Sequence, residues 1–255
     1  MKLTDRLLKI ADLVTKGKKI ADIGTDHGYI PVYLLNKGHV DFAILADVNK
    51  GPLENARSEV RHNNLTDKVD LRLGSGIEVL NENEVDEVII AGMGGILISE
   101  LLEAKKSVAH NLDKLILQPM QAQDELRKYL LNNGYEILDE VLVKEDFRIY
   151  EIIVAKYTSK NTVVDDEIYY EVGKKLIENK DPLLNEFIDK KIFMYNSILK
   201  KLEGKTGEEI EKKIQYKGRK IELQNIIQYD CHNIANRILK GDDWFVGVGS
   251  LRYFK

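Results

Sequence analysis

Residues 20–28, Ile-Ala-Asp-Ile-Gly-Thr-Asp-His-Gly, constrain the fold more than any other stretch of the chain. Ile20, Ala21 and Ile23 make a short apolar run suited to the inside of a parallel sheet. Gly24 and Gly28 then let the backbone turn tightly before a helix that begins near Tyr29. Asp22 puts a carboxylate at the strand's end. A turn that grips phosphate needs amide donors and no anion beside them, whereas a ligand with an ammonium group favours an acid there. The dinucleotide pattern G-x-G-x-x-G is also broken, because Asp26 stands where its second glycine would be.

The turn therefore reads as a cradle for S-adenosylmethionine, whose amino-acid end and sulfonium are both cationic, with Asp22, Gly24, Thr25 and Gly28 against the ligand. The alternative is an ordinary strand-to-helix turn of some other α/β protein. Residues 42–47, Phe-Ala-Ile-Leu-Ala-Asp, form a second buried strand ending in Asp47, 19 residues after Gly28. At that spacing a βαβ unit sets a carboxylate on a ribose. Asp47 is expected at the ribose hydroxyls with Val48 and Asn49 beside the adenine ring, or as a cap for the next helix, and the two roles are compatible.

The rest of the chain repeats this pattern. Leu3, Leu7, Ile10 and Val14 recur at steps of 4, 3 and 4, predicting an amphipathic helix over 4–16 with Thr4 as N-cap. Strands are expected at 69–73, 86–91 and 114–117, followed by Gly74-Ser75-Gly76, Gly92-Met93-Gly94-Gly95 and Gln118-Pro119-Met120. Helical patterns fall at 29–36, 52–63, 77–80, 96–109 and 121–132. Such alternation predicts a doubly wound α/β sheet whose ligands bind at the carboxyl ends of parallel strands. Two further strands, 135–143 and 148–157, are joined by Lys144-Glu145-Asp146-Phe147, too short for a helical crossover, so they pair antiparallel. A mostly parallel sheet closed by one antiparallel strand is the class I methyltransferase arrangement.

Beyond a polar linker at 158–162 the strand signal stops. Leu184, Ile188, Ile192, Tyr195, Leu199 and Leu202 step by 4, 4, 3, 4 and 3, a helix with a sustained seam. Gly204 and Gly207 break it, and a second helix from Glu208 to about Leu239 folds back with Ile210, Ile214, Ile221 and Ile227 on one face. The expected organisation is a cofactor-binding domain over 1–158, an α-helical hairpin or coiled-coil arm over 163–240, and a tail over 241–255 with no assigned role. Between Lys190 and Lys220 ten basic residues face four acids, against a net charge of −4 for the whole chain. Lys200, Lys201, Lys212, Lys213 and Arg219 are thus candidate contacts to a polyanion, with a solvated helical face as the bland alternative.

Composition excludes several classes. The single cysteine, Cys231, rules out an internal disulfide and a cysteine-rich zinc site, and no metal is expected. No apolar run approaches the roughly 20 residues that cross a bilayer. The mixed charges of residues 1–6 do not make a secretion signal, so a cytoplasmic monomer with no membrane partner is expected.

Taken together, residues 20–27 (Ile-Ala-Asp-Ile-Gly-Thr-Asp-His), 90–95 (Ile-Ala-Gly-Met-Gly-Gly), 115–119 (Leu-Ile-Leu-Gln-Pro) and 150–154 (Tyr-Glu-Ile-Ile-Val) resemble the bacterial tRNA (adenine-22, N1) methyltransferase family, over about residues 1–225. The resemblance implies S-adenosylmethionine as donor, tRNA as partner, and methylation of N1 of adenine 22. It places Asp26 as the catalytic candidate, or equally as a helix cap, and puts His27 and Tyr29 in the base pocket or simply in packing. Ser75 and Gly76 fall near the cofactor's adenine, Gly92, Met93 and Gly94 beside the sulfonium, and Gln118 with Pro119 at the substrate turn. Three departures stand out: Met120 where the family usually has asparagine, Ser75 where an acid is common, and the aromatic tail around Trp244 and Tyr253. The first two leave a non-catalytic, S-adenosylmethionine-dependent RNA-binding module as the alternative reading.

Overall fold

The computed structural model describes residues 2–164, 166–203, 216–220 and 222–226. In chain order the elements are α1 (Asp5–Asp12), β1 (Ile20–Ile23), α2 (Tyr29–Asn36), β2 (Ala43–Asp47), α3 (Lys50–His62), β3 (Val69–Leu73), β4 (Glu87–Gly94), α4 (Gly95–Ala104), α5 (Lys106–Ala109), β5 (Lys114–Gln121), α6 (Gln123–Asn132), β6 (Tyr135–Glu145), β7 (Arg148–Tyr157), α7 (Ile168–Glu171), α8 (Lys174–Glu178) and α9 (Leu184–Lys201). A seven-stranded sheet has the order β3-β2-β1-β4-β5-β7-β6, with β7 alone running against its neighbours.

Strand alternation sorts the core into two layers. Ile20, Leu45, Ile89, Ile116 and Ile152 meet Ile10, Val32, Leu35, Ala56 and Val60 on one face. Ala21, Ile23, Ile44, Val88, Ile90, Leu115, Leu117 and Ile153 meet Ile98, Leu102, Leu126 and Leu130 on the other. The chain leaves β1 toward β2 on one side and later returns beside β1 with β4. Right-handed crossovers then put α2 and α3 on one face and α4 and α6 on the other. The reversal between β1 and β4 opens a crevice above their carboxyl ends.

The elements differ from expectation in informative ways. α1 ends at Asp12, short of residue 16, and its N-cap Thr4 makes no side-chain cap bond. Of the glycine block expected to follow the fourth strand, Gly92, Met93 and Gly94 belong to β4, whose pairing with β5 shifts register between Ala91, Met93 and Gly94, and Gly95 opens α4. Gly92, at φ +84°, permits that bulge. The helix expected over 96–109 is broken at Lys105, which leaves α-geometry at φ −139° and turns its ammonium onto the carbonyls of Glu78 and Leu80.

The first compact unit extends past the expected boundary at 158 to Leu184. Buried Arg127 of α6 explains the extension. Its Nε donates to Glu140 of β6 at 2.7 Å, its Nη2 to Glu151 of β7 at 2.7 Å, and its Nη1 to the Tyr170 carbonyl of α7 at 3.0 Å. The Lys175 amide donates to Glu140 at 3.1 Å and the Leu142 amide to Asp181 at 2.9 Å. α7, α8 and Asp181 are therefore tied to the sheet edge. The second unit, from Asn185 onward, contains α9 with Phe187, Ile188 and Tyr195 buried, as the heptad-like seam requires. Tyr195 meets Tyr216 at 5.6 Å between ring centroids, and residues 216–220 and 222–226 are helical, with Leu223 buried. Gly204, Gly207, Ile210, Ile214, Ile221, Ile227, Cys231 and the 241–255 tail lie outside the described residues.

Candidate functional site

The turn after β1 stands at the switch point. Register aligns Ile23 with Ile90, which brings Gly24 level with the start of the glycine block, and the Gly24 and Thr25 amides donate to the Ala46 carbonyl of β2 at 2.8 and 3.1 Å. Gly24 has φ +76°, and a Cβ there would collide with the Met93 methyl. Gly28, at φ +67°, lies so close to β2 and α3 that a Cβ would stand 2.5 Å from Leu45 Cδ2. One glycine thus accommodates a flexible side chain from β4, and the other lets α2 pack on the sheet.

Asp22 is buried at the end of β1. Burial lifts its carboxyl to about 6; the nearby Thr25 hydroxyl opposes the rise and the Asp47 charge adds to it. Thr25 Oγ1 is itself buried without a well-formed hydrogen bond. A buried acid beside a second acid, with a buried hydroxyl alongside, suits a cationic ligand that can also hydrogen-bond. At the end of β2 the Asp47 carboxylate accepts the Asn49 amide at 2.7 Å, and Asn49 is the N-cap of α3, so Asp47 shapes the turn into that helix. Val48 and Asn49 are exposed on the turn. Ser75 is exposed at the end of β3, while Gly76 is buried at φ +52° with its Cα side against Leu101.

Asp26 does not cap α2; Gly28 holds that position. The Asp26 side chain is 71 % exposed and lies 3.4 Å from His27 Nε2. The His27 ring stacks on Tyr29, with centroids 4.9 Å apart and planes 6° from parallel. Asp26, His27 and Tyr29 therefore form one surface cluster at the mouth of the turn, with the His27 and Tyr29 rings packed on each other.

Across the crevice the structure revises the role of the Gln-Pro turn. Gln118 is fully buried, and its Oε1 accepts from Arg6 Nη1 of α1 at 2.7 Å while its Nε2 donates to the Pro119 carbonyl at 3.0 Å. Its carboxamide is turned inward and supports the turn, while Met120 is 40 % exposed beyond it. Arg6 also lies over the Tyr150 ring at 5.2 Å, and its amide donates to Glu145 at 3.1 Å. No local motif marks Arg6; only the amphipathic pattern of α1 could have placed it near β5. Gly95, the last of the glycine block, has no room for a Cβ because the Ala122 carbonyl occupies that space. Ala122 itself sits at φ +54°, so the two turns lock through backbone contact.

In the second unit Lys200 and Lys201 are exposed near the end of α9. Arg219 is half-buried and pairs with Glu222 at 3.0 Å, which orders its guanidinium within its own helix. Lys212 and Lys213 lie outside the described residues. Among the described residues no group of three or more His, Cys, Asp or Glu is placed to hold a metal, and no helix is long and apolar enough to cross a membrane. A cleft of about 440 Å³ at the opposite end of β6, bordered by Glu136, Thr158 and Lys174, is remote from the β1 turn.

The chain matches the family model described as a methyltransferase domain over residues 3–153. It is 36 % identical over 165 residues to the tRNA (adenine(22)-N(1))-methyltransferase of Bacillus subtilis, covering 65 % of this chain and 69 % of that protein. The crystal structure of the B. subtilis tRNA methyltransferase TrmK superposes with a TM-score of 0.80 at 30 % identity, over 89 % of this chain and 99 % of the other. The M. capricolum TrmK structure in complex with S-adenosylhomocysteine superposes at 0.74 with 28 % identity, over 90 % and 98 %.

Proposed function

Since the chain belongs to the tRNA (adenine(22)-N(1))-methyltransferase family, we infer that it methylates N1 of adenine 22 in tRNA and takes the methyl group from S-adenosylmethionine. The observation that carries the donor assignment on this chain's own residues is the buried Asp22 carboxyl beside the buried Thr25 hydroxyl, at the switch point between β1 and β4. These groups fit the amino-acid end of the donor. Asp22 would take the ammonium, Asp47 the ribose hydroxyls, Val48 with Asn49 the adenine ring, and Ser75 with Gly76 its far edge. When bound, S-adenosylmethionine supplies a methyl group activated by the positive sulfonium beside it.

The work of the protein is then positional and electrostatic. Adenine N1 is unprotonated at neutral pH and holds an in-plane lone pair, so no general base has to act first. Holding the base in line at near-attack distance supplies most of the acceleration. The ring becomes cationic as N1 gains its substituent, and the Asp26 carboxylate at the mouth of the turn favours that charge. The stacked His27 and Tyr29 offer the base a flat aromatic edge, and Met93 with the backbone of Gly92 and Gly94 borders it from β4. N1 lies on the Watson-Crick edge, so a paired adenine has to be flipped out before it reaches this site. Gln118 acts through the Pro119 turn that it braces. Lys200 and Lys201, with Lys212, Lys213 and Arg219, would meet phosphates of the tRNA. One chain carries both the donor cradle and the basic arm, so we assign the activity to a cytoplasmic monomer.

The test is methyl incorporation into unmodified bacterial tRNA by the wild-type chain and by Asp26→Ala and Asp47→Ala. Loss of activity in both variants is expected, and full activity in both overturns the residue assignments.

A further inference from the structure

The β6–β7 hairpin is longer than sheet closure requires. The last β5–β7 pair is Leu117 with Ile153, and Leu117 is level with Ile90 and Ile23, the residue before the Gly24 turn. From Ile153 back to Arg148, β7 continues in the direction in which β1, β4 and β5 end. At about 3.4 Å per residue this carries the hairpin tip roughly 17 Å beyond the rim that holds the donor turn. Three strand spacings of about 4.8 Å separate β7 from β1, so the tip stands as a post roughly 14 Å to one side of the candidate site.

The chemistry of the tip is specific. Glu145 pairs with Arg148, leaving Asp146 and Phe147 as a two-residue turn with Asp146 at φ +54°. Phe147 is 75 % exposed, and the Arg148 guanidinium lies 5.4 Å from its ring centroid. Lys144 and Arg148 are balanced by Glu145 and Asp146, so the tip has no excess charge for a phosphate. What it offers is an exposed aromatic ring with a guanidinium over one face, the combination of groups on which unpaired RNA bases stack. The target adenine must leave its stack to expose N1, and bases next to it lose a stacking partner when it does.

We propose that Phe147, with Arg148 over its ring, is a stacking post for an unpaired base of the same tRNA, a few nucleotides from the adenine that enters the site. The proposal rests on the tRNA methyltransferase reading above. Its test uses the full-length chain with Phe147→Ala, Phe147→Leu and Phe147→Tyr. Affinity for unmodified tRNA is measured by filter binding with S-adenosylhomocysteine present, at about 50 and 200 mM salt. Phe147→Ala and Phe147→Leu should each weaken tRNA binding about tenfold, and by the same factor at both salt concentrations, because stacking is not ionic. Phe147→Tyr should bind like wild type, and affinity for S-adenosylhomocysteine should be unchanged throughout. Phe147→Ala binding tRNA within twofold of wild type overturns the proposal. So does full affinity in Phe147→Leu, which would mark an apolar contact without stacking, as a protein partner would make. Methyl transfer by the wild-type chain is scored separately: its absence would count against the enzymatic reading, while the binding series still decides the role of Phe147.

Discussion

Burial holds the Asp22 carboxyl at about 6, against an ordinary value of 3.8, so keeping this residue ionised costs stability. Between those two values the folded state keeps a proton that the unfolded chain has released. Stability conferred by that proton is therefore lost as pH rises through the window, and above about 6 the cost is complete. A cationic ligand reverses the balance by favouring the ionised form. Affinity for S-adenosylhomocysteine should rise with pH through about 6 and then level off, with binding at pH 5 about tenfold weaker than at pH 7.5. Asp22→Asn should bind weakly with no such dependence, and without ligand should melt at a higher temperature than wild type at pH 7.5. A wild-type affinity that is flat across the range, measured by calorimetry, would remove Asp22 from the ammonium site. Asp22 and Asp47 were readable in the sequence because each closes an apolar strand at the spacing of a βαβ unit. The support of Gln118 was not, since Arg6 reaches it from 112 residues away and no local pattern encodes that contact. Arg6→Ala leaves a buried carboxamide oxygen unpaired, and denaturant unfolding should record a loss of about 1–3 kcal/mol.

At the scale of elements, the order of strands and helices followed from alternating apolar runs and glycine turns, while their ends did not. β4 runs on through Gly94 because Met93 and Gly94 pair with Pro119 and Gln121 of β5 across a bulge at Gly92, a pairing that depends on both strands. The two glycines facing this region differ in what limits them. At Gly24 the obstacles are a φ of +76° and the mobile end of the Met93 side chain, whereas at Gly95 it is the fixed Ala122 carbonyl. Gly95→Ala should therefore lose about 2–4 kcal/mol in chemical denaturation by displacing backbone. Gly24→Ala should lose less than Gly95→Ala and act mainly on donor affinity. The tie between β6, β7 and α7 gives a sharper case. Arg127→Met removes the cation that Glu140 and Glu151 share in a buried setting, and a loss of about 3–5 kcal/mol is expected. Melting at neutral pH reads it, and an unchanged midpoint would mean that the two carboxylates find other partners.

For the molecule as a whole, composition and charge pattern put the division of the chain at residue 158, whereas the first compact unit runs to Leu184. The polar residues at 158–162 look like a linker, yet α7 and α8 return to the sheet edge through Arg127, Glu140 and Asp181, contacts that composition does not register. The arm's seam was readable because a helix repeats every three or four residues, and Tyr195 meeting Tyr216 fits a chain that folds back. The exposed Lys200 and Lys201 should make tRNA binding salt-sensitive. Replacing both with glutamate should raise the KM for tRNA several-fold at low salt and leave affinity for S-adenosylhomocysteine unchanged, a split that steady-state kinetics and calorimetry together resolve. A donor cradle, an exposed Asp26 cluster and a basic arm serving a single reaction predict one product. The most direct test is mass spectrometry of nucleosides from unmodified tRNA incubated with the full-length chain and methyl-labelled S-adenosylmethionine. Label in 1-methyladenosine that maps to adenine 22 is the predicted result, and label confined to any other nucleoside, or no label at all, would contradict it.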